Sequence, residues 1–336
     1  MTIVVTELGA ADGVDRAPLA RRPGGLGGLL ASAFGVFPRG AIPAFGSFLG
    51  WLAGRLLGVR RVHVESSMKR AGIARSRAGE IASLMYESLG MGLVEMLWLA
   101  AHPEVPASRW ATLDEYSRGV LAAARERGHG LVLATAHTGN WELAAAAIAE
   151  AYPLTVVVKP MSVGWVDRFC TASRRARGMK LANPLNALDC ARRALERGEL
   201  VAMLIDQVPG HASHVVQAEF LCGRTDVDRS PAALAAAARV PLVVAVSRRV
   251  DGGSHVLEVL AVLDPPERAR RAWAIEATRT ATRVLERWVH AHPADWLWMH
   301  RRWRLAPGTL PKAPPGSRVN QPRPAPAQSS SSGDPR

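Results

Sequence analysis

The stretch Gly130 to Leu143, GLVLATAHTGNWEL, constrains the chain more tightly than any other. An apolar run, a polar turn carrying His137 and the start of an alanine-rich helix follow in direct succession. A short run that is apolar on both faces reads as a buried strand. Strand, turn and helix together open a unit of an α/β sheet. At about 100° per residue, positions five apart on one helix lie about 140° apart, so His137 and Glu142 cannot share a face if both are helical. His137 therefore belongs to the turn. With the helix starting near Gly139 or Asn140, Glu142 falls in its first turn and reaches back toward the imidazole, as a carboxylate that orients a base must. The free N–H groups of that turn favour negative charge. A histidine in a strand-to-helix turn is also a common capped structural residue, and spacing alone leaves both readings open.

The pattern after His137 repeats the theme. Short β-branched runs near 154–158, 200–205, 241–247 and 255–262 join the strand at 131–136, and helices near 140–151, 163–177, 185–197 and 231–239 fall between them. Strands apolar on both faces and separated by helices predict an α/β fold, a mostly parallel sheet covered on both sides. Catalytic groups then gather at the carboxyl ends of the strands, where His137 and Asp206 both fall. Earlier in the chain, helices are expected over 77–101 and 108–127, and later over 266–291.

The ends differ from this core. Residues 1–22 are polar and lack the order of features an export signal needs, so they read as a loose leader. Residues 23–77 begin with an apolar stretch, cut by Pro38 and Pro43 into pieces too short for a confident span, and continue with a basic run from Arg55 to Arg77. We read this segment as membrane-associating, with a buried helical hairpin as the bland alternative. The globular domain is placed at 78–305, and the Pro/Ser-rich tail over 306–336 is expected to be disordered.

The formal net charge of +13 favours anionic partners: phospholipid, phosphorylated glycolipid, nucleic acid or an acidic carrier protein. Cys170, Cys190 and Cys222 are odd in number and lack metal spacing, so they read as core thiols of a reducing compartment. Asp206 and Gln207 leave a strand. Asp206 either positions substrate or caps the next turn, and spacing does not choose. His211 and His214 lack the H-E-x-x-H spacing, and we assign no metal there. Lys159 leaves the second strand and Arg174 ends the next helix. Both are candidate phosphate grips, with favourable charge at a helix C-terminus the equal alternative for the arginine. No G-x-S-x-G elbow, Walker loop or dinucleotide fingerprint is present. A histidine base without a placed nucleophile suits direct attack by a substrate hydroxyl or amine on an activated acyl group. A non-catalytic basic protein that binds membrane or nucleic acid is the competing class.

Ala136 to Leu143, AHTGNWEL, resembles the H-x4-D/E motif of glycerolipid-type acyltransferases, in the form found in the late acyltransferases of lipid A biosynthesis and in phosphatidylinositol mannoside acyltransferases. Lys159-Pro160, Arg174 to Gly178, Ile205-Asp206-Gln207, Phe220 to Gly223 and Trp298 to Arg304 resemble further segments of that family in the same order. The resemblance implies a membrane-associated acyltransferase with His137 and Glu142 catalytic. Lys159, Arg174, Asp206, Gln207 and Asn140 become candidates for substrate contact. It further implies an acyl carrier protein thioester or acyl-CoA as donor, a lipid or glycolipid acceptor, no metal or organic cofactor, no nucleic acid, and residence at the cytoplasmic face of the bacterial inner membrane.

Overall fold

The structure, a computed structural model, describes residues 24–182, 187–209, 214–250 and 253–303. The leader over 1–22, the tail over 306–336 and His211 lie outside the described residues.

Seven strands form the central sheet: β1 (Ala111–Leu113), β2 (Leu131–Thr135), β3 (Leu154–Val157), β4 (Lys180–Ala182), β5 (Leu200–Leu204), β8 (Leu242–Val250) and β9 (Ser254–Leu263). Their order is β1-β9-β8-β2-β5-β3-β4, and every neighbouring pair is parallel except the β8–β9 hairpin. The expected α/β class is thus the observed one. Strands β1 and β4 were not anticipated. Each is three residues long, too short for a periodic signal, and lies at a sheet edge. A separate antiparallel hairpin, β6 (Val215–Phe220) and β7 (Gly223–Asp228), follows β5.

Alternation along β2 divides the interior in two. Val132 and Ala134 face one apolar cluster, with α8 (Ala187–Glu196), α9 (Ser230–Ala238) and α10 (Arg270–Ala291). Leu131 and Leu133 face the other, with α5 (Glu115–Glu126) and α6 (Trp141–Ala151). The helix expected over 108–127 therefore starts later, because Asp114 caps it by accepting from the Ser117 N–H at 2.7 Å. Helix α7 (Gly164–Ala176) follows β3.

The N-terminal segment contributes α1 (Gly25–Gly35), α2 (Ile42–Trp51) and α3 (Arg61–Arg70), packed around the long helix α4 (Arg75–Ala101). Helix α4 is long and apolar enough to cross a membrane, but half of its apolar window is buried inside the protein, as in a core helix. The apolar pair made of α1 and the Arg39–Leu56 segment is bent by 104°. Glycines set the approach of α2 to α4. A Cβ at Gly90 would lie 2.2 Å from the Gly46 carbonyl oxygen and 2.5 Å from the Gly50 nitrogen. These are backbone atoms, which cannot swing aside. Overpacking of this kind costs about 1–3 kcal/mol. Gly90→Ala should therefore lower the melting temperature by several degrees in a thermal scan. Gly40→Ala, with nothing within 4 Å of the new methyl, should leave it unchanged.

Candidate active site

Register places the two central groups side by side. Strands β2 and β5 are neighbours with Thr135 opposite Leu204, and His137 and Asp206 each follow two residues later. Asp206 is fully buried, and every bond it accepts comes from a different direction. Its Oδ1 accepts from His137 Nδ1 at 2.9 Å, while Oδ2 accepts from the His137 backbone N–H at 2.9 Å and from Trp296 Nε1 at 3.0 Å. Burial alone would raise this carboxyl's pKa. Attraction to His137 and the hydrogen bonds it donates outweigh that and hold it well below the usual carboxylate range. With Nδ1–H donated to Asp206, the lone pair of His137 is on Nε2. Gln207 Nε2 lies 3.4 Å from that atom and 3.5 Å from His300 Nε2.

The turn around His137 is clamped from the C-terminal side. The Thr138 segment bridges Trp296, the Leu297 N–H donates to the His137 carbonyl at 3.0 Å, and the Gly139 N–H donates to the Asp295 carbonyl at 2.8 Å. Thr138 Oγ1 accepts from the Ser247 N–H at 3.1 Å. Gly139 has φ +50°, and a Cβ there would come 2.6 Å from the Ser247 carbonyl oxygen, so glycine is required. The same strap brings His300 against His137, with ring centroids 4.5 Å apart, and Trp141 packs its edge on the other side at 4.8 Å. Burial lowers the His300 pKa to about 4, which keeps that ring neutral near pH 7.

Glu142 is elsewhere engaged. The Arg174 guanidinium grips both of its oxygens, donating from Nε to Oε2 at 2.9 Å and from Nη2 to Oε1. The expected Glu142–His137 contact is therefore replaced by two separate pairs: His137 with Asp206, and Glu142 with Arg174. A carboxylate in the first turn of α6 faces α7 across the groove, while Asp206 projects from the neighbouring strand straight at Nδ1. Although burial favours loss of its proton, Arg174 is held above its ordinary pKa by Glu142 and stays charged. The ion pair lines an apolar cavity of about 50 Å³ together with Met96, Leu99, Leu143 and Met179.

The remaining candidates scatter. Asn140 is buried and caps α6, its Oδ1 accepting from the Leu143 N–H at 3.1 Å and its Nδ2 donating to Glu95 Oε2 at 2.8 Å. Its Nδ2 also reaches the Gly92 carbonyl at 3.4 Å, so both ends of the amide are engaged within the protein. Lys159 is exposed on the loop leaving β3, with no ion pair among the described residues. His214 is exposed. The thiols are not uniformly core: Cys170 is buried, with burial raising its pKa to about 11, but Cys190 is half-buried and Cys222 exposed. His137, Asp206 and His300 offer ligand atoms within 4.8 Å of one another, and His137 and Asp206 are already joined by a hydrogen bond. Trp296 and His300 had no assigned role in the sequence, though the W-x-H-R-R segment was the available signal.

The sequence profile of bacterial lipid A biosynthesis acyltransferases matches residues 25–305. Among curated proteins, a lipid A biosynthesis lauroyltransferase from Escherichia coli (strain K12) is 29% identical over 232 residues, covering 67% of this chain and 72% of that protein.

The depressed Asp206 carboxyl has a pH signature. In the unfolded chain it titrates near 3.8. A depressed folded value contributes stability that is fully present above that pH and is lost as pH falls toward the lower folded value. The parent should therefore be more stable than Asp206→Asn at pH 7, and the gap should close as melting curves are recorded below about pH 4.

Proposed function

The chain belongs to the bacterial lipid A biosynthesis acyltransferase family, and on that premise we propose that it transfers a fatty acyl chain from a thioester to a hydroxyl of a glycolipid with His137 as general base. Family membership makes it an enzyme with an acyl donor and a lipid acceptor, and sets aside a non-catalytic basic protein. The observation that carries the base assignment is the His137 Nδ1 to Asp206 Oδ1 hydrogen bond, which puts the lone pair of the neutral ring on Nε2.

In this reading the acceptor oxygen takes the place of the Gln207 amide at Nε2. As the oxygen bonds to the thioester carbonyl carbon, its proton passes to Nε2, and the imidazolium is stabilised by Asp206. The tetrahedral oxyanion then collapses, the carbon–sulfur bond breaks, and the leaving sulfur takes the proton back from Nε2. Arg174, fixed by Glu142 at the edge of the apolar cavity, is the cation that meets the donor carbonyl, with the start of the acyl chain lying in that cavity. Lys159 and Gln207 remain candidates for donor or headgroup contact. The name of the relative supports a medium-length acyl chain such as lauroyl. Acyl carrier protein and acyl-CoA both fit a basic surface.

Attachment to the cytoplasmic face of the inner membrane is part of the same proposal. Leu26, Leu29, Val36, Phe48, Trp51, Leu56, Leu57 and Val62 leave an apolar rim exposed along α1, α2 and the start of α3. The exposed Arg39, Arg55 and Arg60 accompany it, each cation near an anionic surface contributing roughly 1 kcal/mol.

His137→Ala should lower kcat by about 10² to 10⁴ while the protein stays folded. Glu142→Gln and Arg174→Ala should give similar losses to each other, because the pair acts as a unit. Intact-protein mass after mixing with acyl donor alone should show no adduct. A stoichiometric acyl adduct that forms and decays at the catalytic rate would replace the direct mechanism with a covalent one.

A further inference from the structure

Glu95 stands in the middle of the apolar helix α4 and is fully buried. Taking a carboxylate out of water costs several kcal/mol, roughly, unless its oxygens are well satisfied. Here they are. Oε1 accepts from Arg249 Nη1, while Oε2 accepts from Asn140 Nδ2 at 2.8 Å, Arg249 Nη2 at 3.1 Å and His255 Nε2 at 3.1 Å. Burial opposes ionisation, but the bonds from His255 and Arg249 prevail and hold the carboxyl at about 2.

The position of this group connects two parts of the site. A carboxylate only accepts, so Glu95 fixes which way the Asn140 amide points: Nδ2 toward α4, Oδ1 toward the Leu143 N–H that it caps. The first turn of α6 is thereby registered on α4. That turn carries Trp141 against the His137 ring and Glu142 against Arg174. From the neighbouring position, Met96, and from Leu99 and Ala100, the same helix α4 lines the apolar cavity. Arg249 adds a second tie. Its backbone N–H donates to the Asp295 carboxylate, and the Asp295 carbonyl holds the Gly139 N–H.

We propose that Glu95 is a positioning residue for acyl transfer: acting through Asn140, its carboxylate fixes His137, Trp141 and Glu142 relative to helix α4 and the cavity that α4 lines. Apolar side chains in place of the whole cluster of Glu95, Arg249 and His255 would be no worse for stability. They would leave the Asn140 amide with only the Gly92 carbonyl, at 3.4 Å, as its acceptor on α4. The inference rests on the catalytic reading of His137 given above, and the two are tested by different variants.

Asn140→Ser is the cleanest probe, because serine keeps an oxygen for the cap and loses the amide donor that serves Glu95 and, at 3.4 Å, the Gly92 carbonyl. Its melting temperature should stay close to the parent's, while kcat falls about ten- to a hundredfold, the size of effect that small misplacements of reacting groups produce, with KM little changed. Glu95→Gln should lower kcat to a similar degree. The double variant should be no slower than either single one, since both break the same link. The rate at which diethyl pyrocarbonate modifies His137, read by peptide mass under conditions where circular dichroism shows each variant fully folded, should shift in all three. A kcat within about twofold of the parent for Asn140→Ser, or losses that multiply in the double variant, would overturn the proposal. Full turnover in His137→Ala would instead overturn the catalytic reading, and the positioning role with it.

Discussion

A single buried carboxylate organises the centre of this protein. Asp206 has no access to water, so its charge survives only because three donors converge on it: the backbone and ring of His137 from one strand end, and the indole of Trp296 from the C-terminal strap. The donors come from two distant parts of the chain. The requirement to satisfy one anion therefore fixes how β2, β5 and residues 293–300 meet, and the tautomer of His137 follows from the same requirement. The strap in turn shields the imidazole with His300, a second ring that burial keeps uncharged beside the first.

Around that centre the protein uses close backbone approach and selective exposure. The α2–α4 contact is so tight that glycine is the only residue that fits at Gly50 and Gly90. It brings the N-terminal helices into the same cores as the sheet: Ile42 joins one cluster, and Val64 and Met68 join the other. The outer faces of those helices remain apolar and open to solvent.

The sequence carried most of the architecture. Long, strongly patterned elements such as β2, α6, β5, β8 and α10 lie where periodicity placed them within a few residues. What it withheld were three-residue edge strands and, above all, adjacency. His137 and Asp206 were both recognised at strand ends, but only the order of the sheet makes β2 and β5 neighbours with Thr135 opposite Leu204. Helical spacing favoured Glu142 because it considered one segment at a time; the partner that holds the ring comes from sixty-nine residues away. The protein partners of Asn140 were hidden for the same reason, since its amide meets Glu95, a residue that reads as one charge within an apolar helix. Gly139 and the segment Asp295 to Leu297 are two sides of one clamp.

The central claim is that Asp206, not Glu142, sets the tautomer of His137. Nitrogen-15 NMR of the imidazole tests it directly. The parent protein should show a protonated, hydrogen-bonded Nδ1 and an unprotonated Nε2 for His137 at neutral pH. That pattern should persist in Glu142→Gln and be lost in Asp206→Asn. A protonated Nε2 in the parent, or a tautomer that changes with Glu142→Gln and not with Asp206→Asn, would contradict the account.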